Sequence, residues 1–546
     1  MTSFMKVFSL GGAFLYCATA SAAVTNQPLQ GSVPPQPMES SPSVVPHAPA
    51  KKTSAPAGVR VTLSSVEFSG NTLFDSATLR HALGSIAGRQ FDMAGLNNLA
   101  NTIVGYYRSQ GYPFVQTIIP PQNLKGGVLH LRVLEGRYGA IQADGSASLK
   151  KGAQPFLDHY LSRGNPIKNS SLERALLILN DQPGTKIHPT IRPGSGQGEG
   201  DLTVDVVRTS RITGEIGADN TGNQNTGEYR LPLTVNINSP FRFGDKLTLN
   251  GLYTDRNMWL GAFGYETPLG PSGLRGYVGY AHTSYILAGQ FSALNDTGYA
   301  NITTLRLSYP LLRSQASNVL LMVSYLTKAL SDQYATLGIT SSKHSKVIPL
   351  EMQFDHRDTW FGGGVTYGVV SASTGQLSLD SGLLATDAST AGTQGSFNKA
   401  NLDVARIQKI TESVSLYGRY SGQWAGKNLD PSEKFDLGGF YGVRAYPMGE
   451  GMGDTGWLTQ IELRYTQGEL TPFLLYDAAS SDLNASPWNA GSVVRRKLAG
   501  AGMGVRMHHN NWSLESTLAW RTQGGLPTAD NTNRNPRLFL VGSYRF

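Results

Sequence analysis

The sequence predicts α+β modules followed by a transmembrane antiparallel β-barrel. Three observations carry this prediction. Only 15% of the 546 residues are charged and 63 are glycine, so the chain is poorer in charge and richer in glycine than an average soluble protein. After residue 208 no stretch approaches the ~18 apolar residues of a membrane helix, yet short runs alternate apolar and polar residues repeatedly. The chain also ends in such an alternating run, which closes on Phe546.

The start of the chain predicts a signal peptide and a linker. Lys6 gives a basic start to an apolar stretch within residues 1–22, which is typical of a secretory signal. The stretch is too short to span ~30 Å of hydrocarbon, so we expect cleavage after Ala20-Ser21-Ala22 and not a membrane anchor. Residues 23–58 are rich in proline and predict a linker of polyproline character. This linker has no room for a long helix, so we expect a flexible tail and no inserted plug.

Composition and motifs exclude several classes of site. The single cysteine, Cys17, would leave with the signal peptide, which excludes a disulfide framework, a Cys-ligated zinc site and an iron–sulfur cluster. The net charge of +8 is spread without a block of Lys and Arg, so we expect no nucleic-acid binding. His508 and His509 are adjacent and would point to opposite faces of a strand, so they predict no shared metal. The sequence lacks G-x-S-x-G and H-E-x-x-H, and it predicts no enzyme and no cofactor.

Residues 59–136 and 137–208 predict two small modules, each with two helices and a short sheet. Apolar residues recur three or four apart in the second helix of each module, which predicts one buried face. The predicted helices are residues 76–83, 92–109, 154–163 and 170–180. The glycine-rich run 194–200 opens onto a predicted strand and lacks a following Lys-Ser/Thr, so it predicts a hairpin loop and not a phosphate loop.

Residues 209–546 predict the barrel. The runs 231–237 and 348–354 each place apolar residues on one face and polar residues on the other. A soluble sandwich would bury the apolar face against a second sheet, whereas a membrane barrel presents it to lipid. Three proline-bearing turns recur at gaps that fit one hairpin and one longer loop, which predicts that they share one side of the membrane. Their prolines are Pro240, Pro268 and Pro310. At roughly twenty residues per strand and connection, the segment accommodates about sixteen strands.

The two modules contain the strings VEFSGNTLF, YYRSQGYPF, LRVLEGRYG and LNDQPG. Together these strings resemble the paired POTRA domains of two-partner secretion transporters. The C-terminal strand, with Tyr544 and Phe546 on one face, resembles the assembly signal of bacterial outer-membrane barrels. The resemblance implies POTRA domains in the periplasm and a barrel in the bacterial outer membrane. It also implies contact with the barrel assembly machinery and with outer-membrane lipid.

The glycine-rich stretch 435–457 resembles the long sixth loop of these transporters, which folds into the barrel lumen. Their hallmark Val-Arg-Gly-Tyr/Phe is represented here by Val443-Arg444-Ala445-Tyr446. The family arginine meets an acidic residue in an aromatic-Asp-x-Gly motif, and this chain has Tyr476-Asp477 with Ala479 in the glycine position. The resemblance implies an Arg444–Asp477 pair in the lumen, the alternative being a solvated loop arginine. Each exchange of Gly for Ala is expected to be tolerated only where φ is negative.

The resemblance as a whole is to the TpsB transporters, the ShlB/FhaC/HecB family. It implies export of a large secreted partner, a TpsA-like haemolysin or adhesin, from the periplasm to the cell surface. We expect the POTRA pair to capture an unfolded partner segment by β-augmentation, and we expect transport without ATP. The candidate partner-binding residues lie on the second helices: Leu96, Leu99, Ile103, Tyr106, Leu172 and Leu176.

Three alternatives stay open at this point. An insertase of the same superfamily would open between its first and last strands, although two modules of this subtype and the string LNDQPG argue against it. A passive porin or uptake barrel would need neither the modules nor the motif Val-Arg-x-Tyr. A soluble β-rich adhesin would not end in a strand that closes on Phe546.

Overall fold

The computed structural model describes residues 36–38, 60–288, 292, 295–336 and 338–546. They form two compact units. One unit holds residues 60–209, and the other holds residues 36–38 together with the described chain from residue 210 onward. The predicted signal peptide, residues 1–22, lies outside the described residues, as does the predicted linker apart from residues 36–38.

Two helices and a three-stranded sheet form the first module around one core. Its elements are β1 (Val61–Thr62), β2 (Ser65–Ser69), α1 (Ser76–Leu83), β3 (Gln90–Phe91), α2 (Met93–Ser109), β4 (Val115–Ile118) and β5 (Val128–Glu135). Strand β5 is central, parallel to β2 and antiparallel to β4. Asp75 and Asp92 begin the two helices, because each carboxylate accepts a hydrogen bond from the backbone N–H three residues on. The predicted helices 76–83 and 92–109 are confirmed to within one residue.

The second module repeats this plan with a sheet in the order β6-β8-β7. Its elements are β6 (Arg137–Asp144), α3 (Ala147–Tyr160), α4 (Asn169–Asn180), β7 (Thr185–Pro193) and β8 (Glu199–Arg208). The helix predicted at 154–163 is wrong at both ends. Proline is common in the first turn of a helix, so Pro155 suggests a helix start. In the structure Pro155 lies inside α3, whose buried face begins at Leu149. The glycine-rich run lies in the hairpin between β7 and β8, as predicted.

Sixteen antiparallel strands close into one barrel, which confirms the predicted number. They are β9 (Ile212–Asp219), β10 (Arg230–Asn238), β11 (Lys246–Thr254), β12 (Trp259–Pro268), β13 (Arg275–Ile286), β14 (Thr297–Arg313), β15 (Ser317–Tyr334), β16 (Ile339–Asp358), β17 (Gly364–Leu379), β18 (Gly395–Lys409), β19 (Val414–Ala425), β20 (Thr455–Tyr465), β21 (Leu470–Asp482), β22 (Arg495–His509), β23 (Trp512–Gln523) and β24 (Arg537–Arg545). A short helix, α5 (Ser381–Ala388), connects β17 to β18. Among the described residues, no helix is both long and apolar enough to cross a membrane.

The alternation predicted from the sequence separates an outer from an inner face. On β16, Leu350 and Met352 point outward and are 49% and 40% exposed, whereas Glu351 between them is 1% exposed. Apolar residues therefore meet lipid and polar residues line the lumen. The three proline-bearing turns lie between β10 and β11, between β12 and β13, and at the end of β14, which places them at one end of the barrel as predicted.

The barrel closes at a short seam between β24 and β9. The two strands share five residue pairs, compared with sixteen between β15 and β16. Phe546 extends the seam, because its backbone N–H and C=O bond the C=O and N–H of Gly214 at 3.0 and 2.9 Å. A Cβ on Gly214 would lie 2.5 Å from the Phe546 ring, so glycine makes room for the terminal aromatic. Tyr544 packs beside Trp512, with ring centroids 5.0 Å apart.

Residues 36–38 lie against the inner face of β16, so this part of the predicted linker is not the free tail that the sequence suggested. Arg357 donates to the backbone oxygen of Met38 at 2.7 Å, and the Met38 N–H donates to Asp355 at 3.0 Å. A proline-rich segment has no internal backbone hydrogen bonds, so its donors and acceptors are free to bond wall side chains.

Candidate lumen site: the inward loop and its charge networks

The connection between β19 and β20, residues 426–454, folds back against the inner wall of the barrel; we call it the inner loop. Its apolar side chains pack with those of the facing wall into one buried cluster. The loop contributes Phe435, Leu437, Val443, Ala445 and Tyr446, and the wall contributes Leu458, Phe473, Leu475, Ala479, Leu498 and Ala519. Hydrophobic burial thus holds the loop on β20 to β23 and orients the polar groups beside it.

Arg444 and Asp477, the pair implied by the sequence, meet in this cluster. The guanidinium donates from Nε to Oδ2 at 2.9 Å and from Nη2 to Oδ1 at 2.7 Å, which is a two-pronged contact. The backbone N–H of Arg444 donates to the same carboxylate at 3.0 Å. The side chains are 3% and 0% exposed, so Arg444 is not the solvated loop arginine of the alternative interpretation.

Glu462 on β20 is a second carboxylate partner of Arg444, which the sequence analysis missed. It accepts from Arg444 Nη1, from Arg506 at 2.8 Å and from Arg464 at 2.7 Å. Arg506 also donates to Glu515 at 2.8 Å. Alternation on a predicted strand could have placed Glu462 and Arg464 on the lumen face, but not beside the loop. We call these groups, with Asp477, the arginine network: three guanidinium groups neutralised by three carboxylates.

The two positions at which this chain has alanine in place of glycine fit without strain. Neither Ala445 nor Ala479 has a positive φ, which meets the condition derived from the sequence. Ala445 packs against Gly500 on β22, where a Cβ would lie 2.6 Å from the Ala445 Cβ. The neighbouring Tyr446 donates its hydroxyl to the carbonyl oxygens of Gln523 and Gly525, at 2.8 and 3.0 Å.

Other polar contacts fasten the backbone of the inner loop. Arg419 on β19 bonds Asp403 and also donates to the Tyr441 carbonyl at 3.0 Å. Gln460 donates to the Gly442 carbonyl at 2.9 Å. Within the loop, Asp436 accepts from the N–H groups of two glycines, at 3.1 and 2.9 Å. Burial raises the pKa of Asp436 to about 7, although these N–H bonds oppose the rise.

A second charge cluster holds the beginning of the inner loop on a different part of the inner wall, at β15, β16 and β18. Glu433 lies between Lys328 and Lys399, with Nζ–O distances of 2.6 and 2.9 Å. Asp430 bonds Lys343 at 2.9 Å. Since the arginine network lies on β20 to β23, buried charges fix the inner loop along an arc of the inner wall that runs from β15 to β23.

The helix residues proposed as partner contacts are, with one exception, buried in the module cores. Tyr106 is half-buried and packs edge-on against Phe74, with ring centroids 5.2 Å apart. The other five are at most 9% exposed: Leu96, Leu99, Ile103, Leu172 and Leu176. Their apolar periodicity reflects core packing, so of the six only Tyr106 offers surface to a partner.

Moving a methyl group from residue 445 on the loop to residue 500 on β22 tests the packing of the loop against the wall. Gly500→Ala is expected to lower the stability of the folded barrel by about 1–3 kcal/mol, because its methyl group meets that of Ala445. Ala445→Gly in the same chain should restore the stability. Heat-modification midpoints on gels measure both effects. Gly418→Ala is the control, since open space surrounds that position. Equal midpoints for Gly500→Ala and Gly418→Ala would contradict the packing.

Comparisons with known proteins give the family to which this chain belongs. Residues 198–507 match the haemolysin secretion/activation protein family ShlB/FhaC/HecB, and residues 61–136 match the POTRA domain of ShlB type. The chain is 27% identical over 463 residues to the heme/hemopexin transporter protein HuxB of Haemophilus influenzae strain 86-028NP, covering 83% of this chain and 82% of that one. It is 22% identical over 488 residues to the outer membrane transporter CdiB of Dickeya dadantii, covering 87% and 85%.

A solved structure shares the fold. CdiB from Escherichia coli superimposes with a TM-score of 0.70 at 19% identity, over 93% of this chain and 94% of that one. The related proteins are transporters and not enzymes. The chain therefore belongs to the ShlB/FhaC/HecB family of haemolysin secretion/activation proteins, the two-partner secretion transporters of the bacterial outer membrane.

Proposed function

We propose that this protein exports one large secreted partner, a TpsA-like haemolysin or adhesin, as an unfolded chain through its barrel. The single observation that carries the proposal is the inner loop, which folds into the lumen and is fixed there by buried charges along the wall from β15 to β23. A lumen occupied in this way suits a pore that opens for cargo more than a passive porin. The haemolysin transporter HpmB of Proteus mirabilis, 23% identical over 301 residues, supports the haemolysin class; the match covers 54% of this chain and 52% of HpmB.

Capture of the partner in the periplasm is proposed to use strand β4 of the first module. Among the described residues, β4 pairs only with β5. Its other edge is therefore open to a strand of the secreted partner. Pro189 and Pro193 interrupt the corresponding edge strand β7, since proline has no N–H to donate. Ile118 on β4 is 39% exposed, and the helix that carries Tyr106 packs beside this strand. An added strand would gain main-chain hydrogen bonds with little sequence demand.

Energy for export is proposed to come from folding of the partner outside the cell and not from ATP. The glycine-rich run that could suggest a phosphate loop lies in the hairpin between β7 and β8, a context that does not suit nucleotide binding. An unfolded chain can slide through the barrel in both directions. A segment that has folded at the surface cannot slide back, so its folding would bias movement of the chain outward.

Ile118→Glu tests capture. We expect at least a tenfold loss of a co-expressed candidate partner at the cell surface, because a charge replaces the apolar contact beside the open edge. Val207→Glu is the matched control, since Val207 is 40% exposed on the second module. Surface partner is measured by protease accessibility at equal barrel abundance. Equal export by both variants would contradict capture at β4.

Arg444→Ala and Asp477→Ala test the loop in the same export measurement. Each is expected to abolish most export, because Arg444→Ala leaves Asp477 buried without a guanidinium and Asp477→Ala leaves Arg444 with Glu462 alone. The double variant should lose no more than either single variant, since both changes remove one interaction. Undiminished export by both single variants, with the barrel still heat-modifiable, would reject a role for the pair.

A disulfide across the seam separates export through the lumen from the insertase alternative. Gly217 and Ser543 are paired across β9 and β24, and an ideal Cβ on Gly217 would lie 3.6 Å from that of Ser543, within disulfide range. Gly217→Cys combined with Ser543→Cys is expected to keep full export when oxidised. Export lost on oxidation and regained on reduction would favour lateral opening. The double variant kept reduced is the control.

A further inference from the structure

Residues 36–38 contact the barrel wall through their backbone. The N–H of Met38 donates to Asp355 Oδ1 at 3.0 Å, and its carbonyl accepts from Arg357 Nη2 at 2.7 Å. Two residues earlier, the Gln36 carbonyl accepts from Gln353 Nε2 at 3.4 Å. These contacts use groups that every non-proline residue carries, so they do not depend on the side chains of the bound segment.

The bound segment follows the three wall residues in the order in which they stand on the strand. Gln353, Asp355 and Arg357 are alternate residues of one strand, so their side chains share the lumen face and repeat about every 6.8 Å. Gln36 and Met38 are likewise two residues apart. Because Gln36 meets Gln353, and Met38 meets both Asp355 and Arg357, the segment runs along β16 in the direction of the strand.

Asp355 is also held by bonds from the wall itself. Asp355 is 2% exposed, and its second oxygen accepts from Asn318 at 3.0 Å and from Arg357 at 2.7 Å. Arg313 in turn donates to the Asn318 amide oxygen at 2.9 Å. Asn318 and Arg313 are 0% and 4% exposed. A buried carboxylate fixed in this way keeps one oxygen directed at the bound backbone, which lowers the ordering cost of binding.

We propose that Gln353, Asp355 and Arg357 form a binding site for extended polypeptide backbone, which we call the backbone clip. The chain's own residues 36–38 occupy the clip at rest, and an unfolded segment of the exported partner occupies it in transit. The second half of this statement rests on the proposed function. The geometry suits a transporter, because a site that reads only backbone accepts successive segments of different sequence.

Binding of a synthetic peptide to the full-length protein in detergent tests the clip. The probe is a fluorescent peptide of residues 33–43 of this chain. Met38→Pro in the protein removes the N–H that bonds Asp355 and should free the clip, so we expect at least tenfold tighter peptide binding than for wild type. Met38→Ala keeps the N–H and should bind like wild type. Equal binding by the Pro and Ala variants would overturn the proposal.

Changes in the peptide and in the wall make the test specific. Against the Met38→Pro protein, a peptide methylated on the Met38 nitrogen should bind at least tenfold more weakly, whereas Met38 replaced by Ser in the peptide should change little. Asp355→Ala should remove binding, and Glu351→Ala on the same face of β16 should not. If Asp355→Ala does not fold, the methylated peptide decides alone. Strong binding of that peptide would overturn the clip.

A photocrosslinker distinguishes failure of the clip from failure of the proposed function. Placed at Gln353 in exporting cells, it is expected to capture the partner, and at Leu350 on the outer face it is not. Export with no capture at Gln353 but with capture at lumen residue Ser373 would overturn transit through the clip and leave the secretion function standing. Absence of all export would count against the secretion function, and peptide binding would still decide whether the clip binds backbone.

Discussion

The buried guanidinium of Arg444 is the interaction on which the arrangement of the lumen depends. Moving a charge from water into the buried contact between the loop and the wall costs several kcal/mol, and only well-placed carboxylates recover that cost. Asp477 and Glu462 are both needed, since they bond opposite sides of the same group. Glu462 in turn requires Arg506 and Arg464 to balance it. The position of the loop and the charge balance of the wall therefore depend on each other.

This coupling gives the inner loop discrete positions. A loop shifted slightly from the wall would lose the forked geometry of Arg444 while leaving both carboxylates buried, which is worse than either a docked or a fully hydrated loop. The lysine contacts of Glu433 at β15 and β18 add the same kind of constraint. Under the proposed function, passage of a chain requires the loop to leave part of this wall as a unit, which is how an occupied lumen and a transport function are compatible.

The sequence predicted the features that depend on local periodicity or on a motif, and it failed where three-dimensional register decides. Alternation fixed which side of β16 meets lipid, because side chains of a strand change face at every residue. The partnership of Glu462 with Arg444 depends on the path of a non-repetitive loop, which no local pattern encodes. The apolar faces of α2 and α4 were visible, but whether such a face packs a core or binds a partner depends on what else covers it; here the sheets do. Residues 36–38 carry no signal of their own, since the groups that bind them lie on a strand more than three hundred positions away.

The exchanges of glycine for alanine show how a motif can change while its geometry persists. In the family pattern the residue after the loop arginine is glycine, and a methyl group there must find space between the loop and the wall. In this chain the space comes from Gly500 on β22, opposite Ala445. Ala479 lies within β21 beside Leu458, where extended backbone accepts any residue without strain. The motif therefore preserves the position of one guanidinium and the volume available where the loop meets the wall. A glycine on either side of that contact satisfies the same constraint.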